Sequence, residues 1–230
     1  IAGNPLSSVT DEQLFAGRNA AAIRMPAGAW EVLQFGRAEL IAANTYALTR
    51  LLRGQAGTDS NMAELVGAGA PFVILDQALT SVPLRLDEIG LPYQWKYGPA
   101  TRNIGDATYG ATTHAFSGAG LRPLAPVHVR SDRTTSASGD LSISWIRRTR
   151  SGGDSWELSE VPLGEASEAY EVDILDGPIV KRTLATSNAT AVYTLAEQIA
   201  DFGSMQAGYE VHVHQLSAVV GRGAGRRAFI

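Results

Sequence analysis

Between Asp140 and Leu175 the chain is written in short bursts of alternating polarity. They are Leu141-Ser-Ile-Ser-Trp-Ile running into Arg147-Arg-Thr-Arg, then Gly153-Asp-Ser-Trp-Glu, Val161-Pro-Leu-Gly-Glu and Tyr170-Glu-Val-Asp-Ile-Leu, with polar turns between them. In a strand, successive side chains point to opposite faces, so each burst predicts a strand with one face for a core and one for water. Consecutive short strands of this kind read as a β-sandwich, and no catalytic group stands in an obvious place among them. The chemical question becomes what such a module holds or touches.

The pattern extends on both sides. Arg122-Pro-Leu-Ala-Pro-Val-His-Val-Arg, Ile179-Val-Lys-Arg-Thr, Ala191-Val-Tyr-Thr and Tyr209-Glu-Val-His-Val-His complete a set of strands over residues 116–230. One helix interrupts them. Thr194 and Glu197 match a capping box, Leu195, Ile199 and Phe202 share a face, and Gly203 supplies the stop. A Pro-rich first strand, a Trp on the second and the Tyr209-Glu-Val-His-Val strand near the end resemble a fibronectin type III-like domain.

Residues 1–115 read as a second β-rich region. Thr10 or Asp11 caps a short helix. Trp30–Phe35 and Ala38–Ile41 predict a hairpin about Gly36, and Tyr46–Arg53 a strand bracketed by Asn44 and Gly54. Pro71–Asp76 predicts a short buried strand, and Val82–Leu86 an edge strand because Pro83 lacks an N–H. Leu91–Tyr97 alternates so that Tyr93, Trp95 and Tyr97 share one face. Residues 99–121, rich in Gly, Ala and Thr, read as a linker or long loop. The fold class is thus all-β, with little helix.

A length of 230 residues suits one large or two small domains. The net charge of −4 gives no electrostatic reason to expect a nucleic-acid partner. Zero cysteines exclude disulfides and thiolate metal sites. No apolar run reaches the roughly 18 residues needed to span a bilayer. The chain opens Ile1-Ala-Gly-Asn-Pro without an initiator Met, as expected for a segment of something longer.

Candidate chemistry is sparse. His212 and His214 alternate on one strand and could share a cation, with only Glu210 and His128 to complete a ligand set; outward-facing surface histidines are the better reading. The acid pairs Glu165/Glu168 and Asp173/Asp176 suggest a glycosidase dyad, but their setting reads as solvation. Gly221-Arg-Gly-Ala-Gly225 lacks the Lys-Ser/Thr ending of a phosphate loop and reads as a hairpin loop before a last strand. Arg147, Arg148 and Arg150 are expected to pair with Asp154, Glu157 or Glu160, with Arg147 on the opposite face from the other two. Arg50 and Arg53 are expected to bond backbone carbonyls of a turn. The Tyr93, Trp95 and Tyr97 row is the one candidate contact surface, for glycan or for another subunit.

Three segments carry a family resemblance: Leu51-Leu-Arg-Gly-Gln-Ala-Gly-Thr58, Trp145-Ile-Arg-Arg-Thr-Arg, and Gln215-Leu-Ser-Ala-Val-Val-Gly. Together they resemble the C-terminal region of the large tail-tip (baseplate, host-specificity) proteins of gene transfer agents and related siphophages, over about Trp30 to Ile230. That resemblance implies a virion structural protein of the distal tail, partnered by other tail proteins and copies of itself and in contact with host surface polysaccharide. The family's hydrolase-like barrel, where present, lies N-terminal to this region, so no catalytic residue, metal or cofactor carries over and the chain is expected not to be an enzyme. The alternative is a carbohydrate-binding module of a secreted or virion-associated glycan hydrolase.

Overall fold

The computed structural model describes residues 5–62, 65–133, 138–153, 157 and 160–230. The expected strand at Gly153-Asp-Ser-Trp-Glu falls largely outside them.

The first helix, α1 (Asp11–Phe15), starts where the sequence predicts. The Thr10 hydroxyl accepts from the Gln13 N–H, and the Gln13 side chain accepts from the Thr10 N–H. Then follow β1 (Ala20–Arg24), β2 (Trp30–Ala42), β3 (Thr45–Gln55) and, later, β4 (Phe72–Ile74), in one antiparallel sheet of order β3-β2-β1-β4. One face buries Ala21, Leu33 and Phe35 against Leu6, Ile23, Leu48 and Phe72. On the other, the buried Gln34 side chain donates to the carbonyls of Leu14 and Arg18, tying down the end of α1. The hairpin expected at Gly36 is not there. β2 runs straight through it, and the reversal comes at Asn44, which takes a left-handed φ of 55°. Gly36 serves close packing instead: a Cβ there would lie 3.2 Å from Arg50 Cβ and 3.4 Å from Leu14 Cδ2.

A separate two-stranded ribbon pairs β5 (Pro92–Tyr97) with β6 (Gly110–Ala115). The expected linker at 99–121 therefore contains a strand. Gly-Ala-Thr-Thr-His-Ala lacks the large apolar alternation that marks one, and its pairing comes from β5. The edge strand expected at Val82–Leu86 does not form; a 3-10 turn occupies Leu86–Glu88.

The remaining strands are β7 (Val127–Asp132), β8 (Leu141–Ile146), β9 (Tyr170–Asp176), β10 (Ile179–Thr186), β11 (Thr190–Tyr193), β12 (Glu210–Ser217) and β13 (Gly221–Phe229). They form two antiparallel sheets, β11-β8-β7 and β10-β9-β12-β13. They make the three-on-four β-sandwich that the alternating bursts predict. Its core joins Leu141, Ile143 and Trp145 of one sheet to Tyr170, Val172, Ile174, Val211 and Val213 of the other. The aromatics meet edge to face, Trp145–Tyr170 at 5.1 Å and Tyr193–Tyr209 at 5.3 Å between ring centroids. The strand expected at Val161–Glu165 is irregular backbone, since Pro162 can donate no ladder bond.

Across the end of the sandwich lies α2 (Leu195–Phe202), closed by the Thr194/Glu197 capping box and by Gly203 in a left-handed conformation. Of the three residues expected to face inward, Leu195 is half-buried and Phe202 packs against the core, but the third does not follow. Ile199 is exposed, and the buried residue is Gln198. Its Nε2 donates to the Tyr193 and Gly139 carbonyls, while its Oε1 accepts from Arg133 Nη1 and the Tyr209 hydroxyl. The glycine run Gly221–Gly225, expected as a loop, lies within β13; the turn is at Ala218–Val220.

The first sheet and the sandwich touch. Gly57, at φ +75°, approaches the 119–121 turn so closely that a Cβ would stand 2.1 Å from the Ala119 carbonyl oxygen, which no other residue type tolerates. Arg148, just past β8, reaches Asp59 after β3 with an N···O distance of 3.3 Å.

Candidate functional site

The aromatic row sits on the β5–β6 ribbon. Alternation along β5 carries Tyr93, Trp95 and Tyr97 on one face, opposite His114, Thr112 and Gly110 of β6. Gly110 leaves room for the Tyr97 ring, which lies across it. Tyr97 is the open end of the row at 63 % exposure, whereas Tyr93 and Trp95 are half-buried. The rings do not form a flat platform. Tyr93 and Trp95 meet at 62° with centroids 6.2 Å apart, and Phe116 closes edge-on against Trp95 at 5.5 Å. The Tyr93 hydroxyl donates to Glu88 Oε1 at 3.0 Å, a bond that raises its pKa above the ordinary phenolic value. The Trp95 indole N–H is buried with no acceptor among the described residues. A single exposed ring beside half-buried ones can stack on one sugar ring or fill a shallow apolar hollow in a neighbouring protein.

The His pair lies on the sandwich face opposite the core, as alternation requires, with ring centroids 4.1 Å apart. His214 is nonetheless buried, which corrects the expectation of a surface position. Both rings pack over Gly225, where a Cβ would come within 2.1 Å of His212 Nε2. His214 Nδ1 lies 3.2 Å from the Gly223 carbonyl oxygen. Burial, then the neighbouring His214 and Arg227, lower the pKa of His212. Among the described residues no three His, Asp or Glu side chains gather in a metal-binding group.

The acids expected to be solvated are mostly engaged. Asp173 is buried beside the His pair. Burial opposes its ionisation, but bonds from Arg222 and Thr183 prevail and lower its pKa. Glu165 accepts from Arg150 Nη2 at 2.7 Å, and Asp176 pairs with Lys181. Glu168 accepts from the Tyr170 hydroxyl at 2.7 Å.

The arginines also differ from expectation. β8 ends at Ile146, so strand alternation does not place the cluster. Arg147 does pair with Glu160. Arg148 and Arg150 instead turn toward the first sheet and the 119–125 segment: Arg148 Nε donates to the Ala125 carbonyl and Arg150 Nη1 to that of Gly120. Asp154 lies outside the described residues. Among the described residues Arg53 bonds no turn carbonyl; its Nε and Nη2 grip the two oxygens of buried Glu31, and Arg50 pairs with Asp11. None of these pairings has a short-range sequence signal, because each partner lies more than ten residues away.

Residues 1–73 match the family model described as "Rcc01698-like, C-terminal". No curated protein matches the chain. Among solved structures, domains d3–d4 of the rat CD45 extracellular region are similar with a TM-score of 0.34 and 10 % identity, over 84 % of this chain and 93 % of that one.

Proposed function

We propose that this chain is a non-catalytic structural module of a phage-like tail tip, carried by a gene transfer agent or a related particle. In that reading it joins other baseplate proteins and copies of itself at the distal tail. The observation that supports it is the family match over residues 1–73, in the half of the chain that also holds the Leu51–Thr58 motif. The division of labour follows the two hydrophobic clusters: residues 1–115 as the tail-protein region, and residues 116–230 as a rigid sandwich that spaces its neighbours.

The test is location. Particles purified from a strain carrying an epitope tag on this chain are expected to show label at the distal tail by immunogold microscopy. Label absent from particles, or spread over the capsid, overturns the reading.

Exposed Tyr97 favours a second reading, in which the ribbon contacts surface polysaccharide as a carbohydrate-binding module does. Calorimetric titration with capsular or lipopolysaccharide fragments tests it, and no heat at millimolar ligand removes it.

A further inference from the structure

Where the first sheet meets the sandwich, a cleft of about 440 Å³ opens between the Gly54–Met62 turn, the Gly120–Ala125 segment and β13. Four arginines from three separate parts of the sequence line it: Arg53, Arg148 with Arg150, and Arg226. Such a convergence is unusual in a chain whose net charge is −4.

Three of the four are already matched. Glu31 holds Arg53 and Glu165 holds Arg150, and these carboxylate side chains are 0 % and 7 % exposed, so they fix the guanidinium groups rigidly in place. Arg148 meets Asp59 at 3.3 Å while remaining 41 % exposed, a contact loose enough to exchange. Arg226 lies exposed on β13, and no acceptor reaches its side chain among the described residues. The cleft therefore presents one surplus positive charge, held against a wall of already oriented guanidinium groups. A guanidinium offers five N–H donors in a planar fork that matches carboxylate and phosphate oxygens two at a time. Fixed donors also lose little entropy when an anion arrives. Met62, Leu124 and Ala125 add an apolar wall. The volume falls in the range of small-molecule sites, roughly 300–1,000 Å³.

We propose that this cleft binds a small organic anion, a carboxylate or phosphate group on an uncharged body, with Arg226 and Arg148 gripping the anion. The proposal does not rest on a place in a tail tip, since it follows from the cleft alone.

Glucose 6-phosphate and glucuronate serve as the phosphate and carboxylate probes, with glucose and inorganic phosphate as controls. Titration of the isotope-labelled chain by NMR is expected to show saturable shifts of the Gly57 and Gly225 amides with at least one of the two anions, at a dissociation constant of millimolar or tighter, and none with glucose. Which probe binds tells phosphate from carboxylate. Arg226→Gln is expected to weaken binding at least tenfold with an unchanged urea midpoint, because the exposed Arg226 side chain bonds no acceptor among the described residues. Arg148→Gln should weaken it as well. No saturable shift with either anion at 10-fold excess over the millimolar range, roughly 10 mM, overturns the site. Equal binding by Arg226→Gln overturns its assigned contact, and inorganic phosphate binding as tightly as glucose 6-phosphate overturns the role of the uncharged body.

Discussion

One buried amide helps attach helix α2 to the sandwich, alongside the Arg182–Asp201 pair and the Phe202–Tyr209 contact, and Gln198→Leu measures what that amide contributes. The Gln198 side chain is fully buried and joins four partners: distant Arg133 and Gly139, Tyr193 just ahead of the helix and Tyr209 after it. Leucine keeps most of its volume and removes all four bonds. The consequences differ by partner. Arg133 still donates to the Gln206 and Gly139 carbonyls, so it and the Gly139 oxygen are not left bare. The Tyr193 carbonyl, in a residue with no exposure, loses the 2.7 Å bond to Nε2, and the Tyr209 hydroxyl loses its acceptor while still accepting from the Gln206 N–H. A bare carbonyl and a hydroxyl proton left without its acceptor cost about 1–3 kcal/mol each, so Gln198→Leu should destabilise by ~2–6 kcal/mol. For a chain of this length that is a drop in Tm of about 4–24 °C. Urea unfolding followed by tryptophan fluorescence reads it directly, since Trp145 lies in the same core. Gln198→Ala separates hydrogen bonding from packing: if the amide is what matters, the two variants fall together. A Gln198→Leu chain within about 0.5 kcal/mol of wild type, the scatter of a surface change, refutes the argument.

Other buried groups give contrasting expectations. Gln215 is buried with neither amide atom bonded among the described residues, so Gln215→Leu should be neutral or stabilising by up to ~1 kcal/mol; a clear fall in the urea midpoint contradicts this. Glu31→Gln leaves the Arg53 guanidinium facing a neutral amide and also weakens the bond to the Gly54 N–H; it should cost ~1–3 kcal/mol, measured by the same unfolding assay, and a loss below about 0.5 kcal/mol contradicts it. His212 has its pKa lowered in the folded chain from an ordinary 6.5, by burial first and then by His214 and Arg227. The unfolded chain therefore binds the proton first, so His212 contributes stability that is present above pH 6.5 and is lost as the pH falls from there toward the folded value. Asp173, with its folded pKa also lowered, adds a further loss only below its ordinary 3.8. His212→Asn should flatten the decline that begins near neutrality, and an unaltered profile from pH 7 to 5 assigns that decline elsewhere.

The alternating bursts made β8, β9 and β12 legible, because one face of each is buried and the period of two records it. The capping box at Thr194 marked the start of α2 for a similarly local reason. Leu195 and Phe202 on its inward face were legible, but the buried residue between them was not. Gln198 is buried because Gly139, Arg133 and Tyr209 converge on it from elsewhere in the chain, and periodicity scores a glutamine as outward. Glycine misled twice for one reason. At Gly36, Gly223 and Gly225 it marks close approach by another side chain or segment, not reversal, and the two roles look alike in sequence. The aromatic row was readable as a shared face of β5. Its non-planar ring arrangement was not, since Phe116 and the pairing with β6 set the ring angles. The arginine cleft had no sequence signature at all: its members come from β3, the turn after β8, and β13.

The hairpin of β2 and β3 outgrows the sheet it belongs to. β1 covers β2 only from Trp30 to Gln34, and Ser8 and Val9 lie alongside as far as Ala38. From Glu39 to Ala42, about 10 Å of strand, β2 has β3 for its sole strand neighbour among the described residues, with Leu40 and Ile41 exposed near the tip. A lone two-stranded ribbon is marginal in water, so this end can open while the rest of the chain stays folded. Opening proceeds like a zipper from Asn44, at a free energy well below that of global unfolding. Amide hydrogen exchange should then rise in graded steps from Phe35 to Ala42. The protein carries a compliant finger on a stiff base, able to adjust to an uneven surface without strain reaching either core.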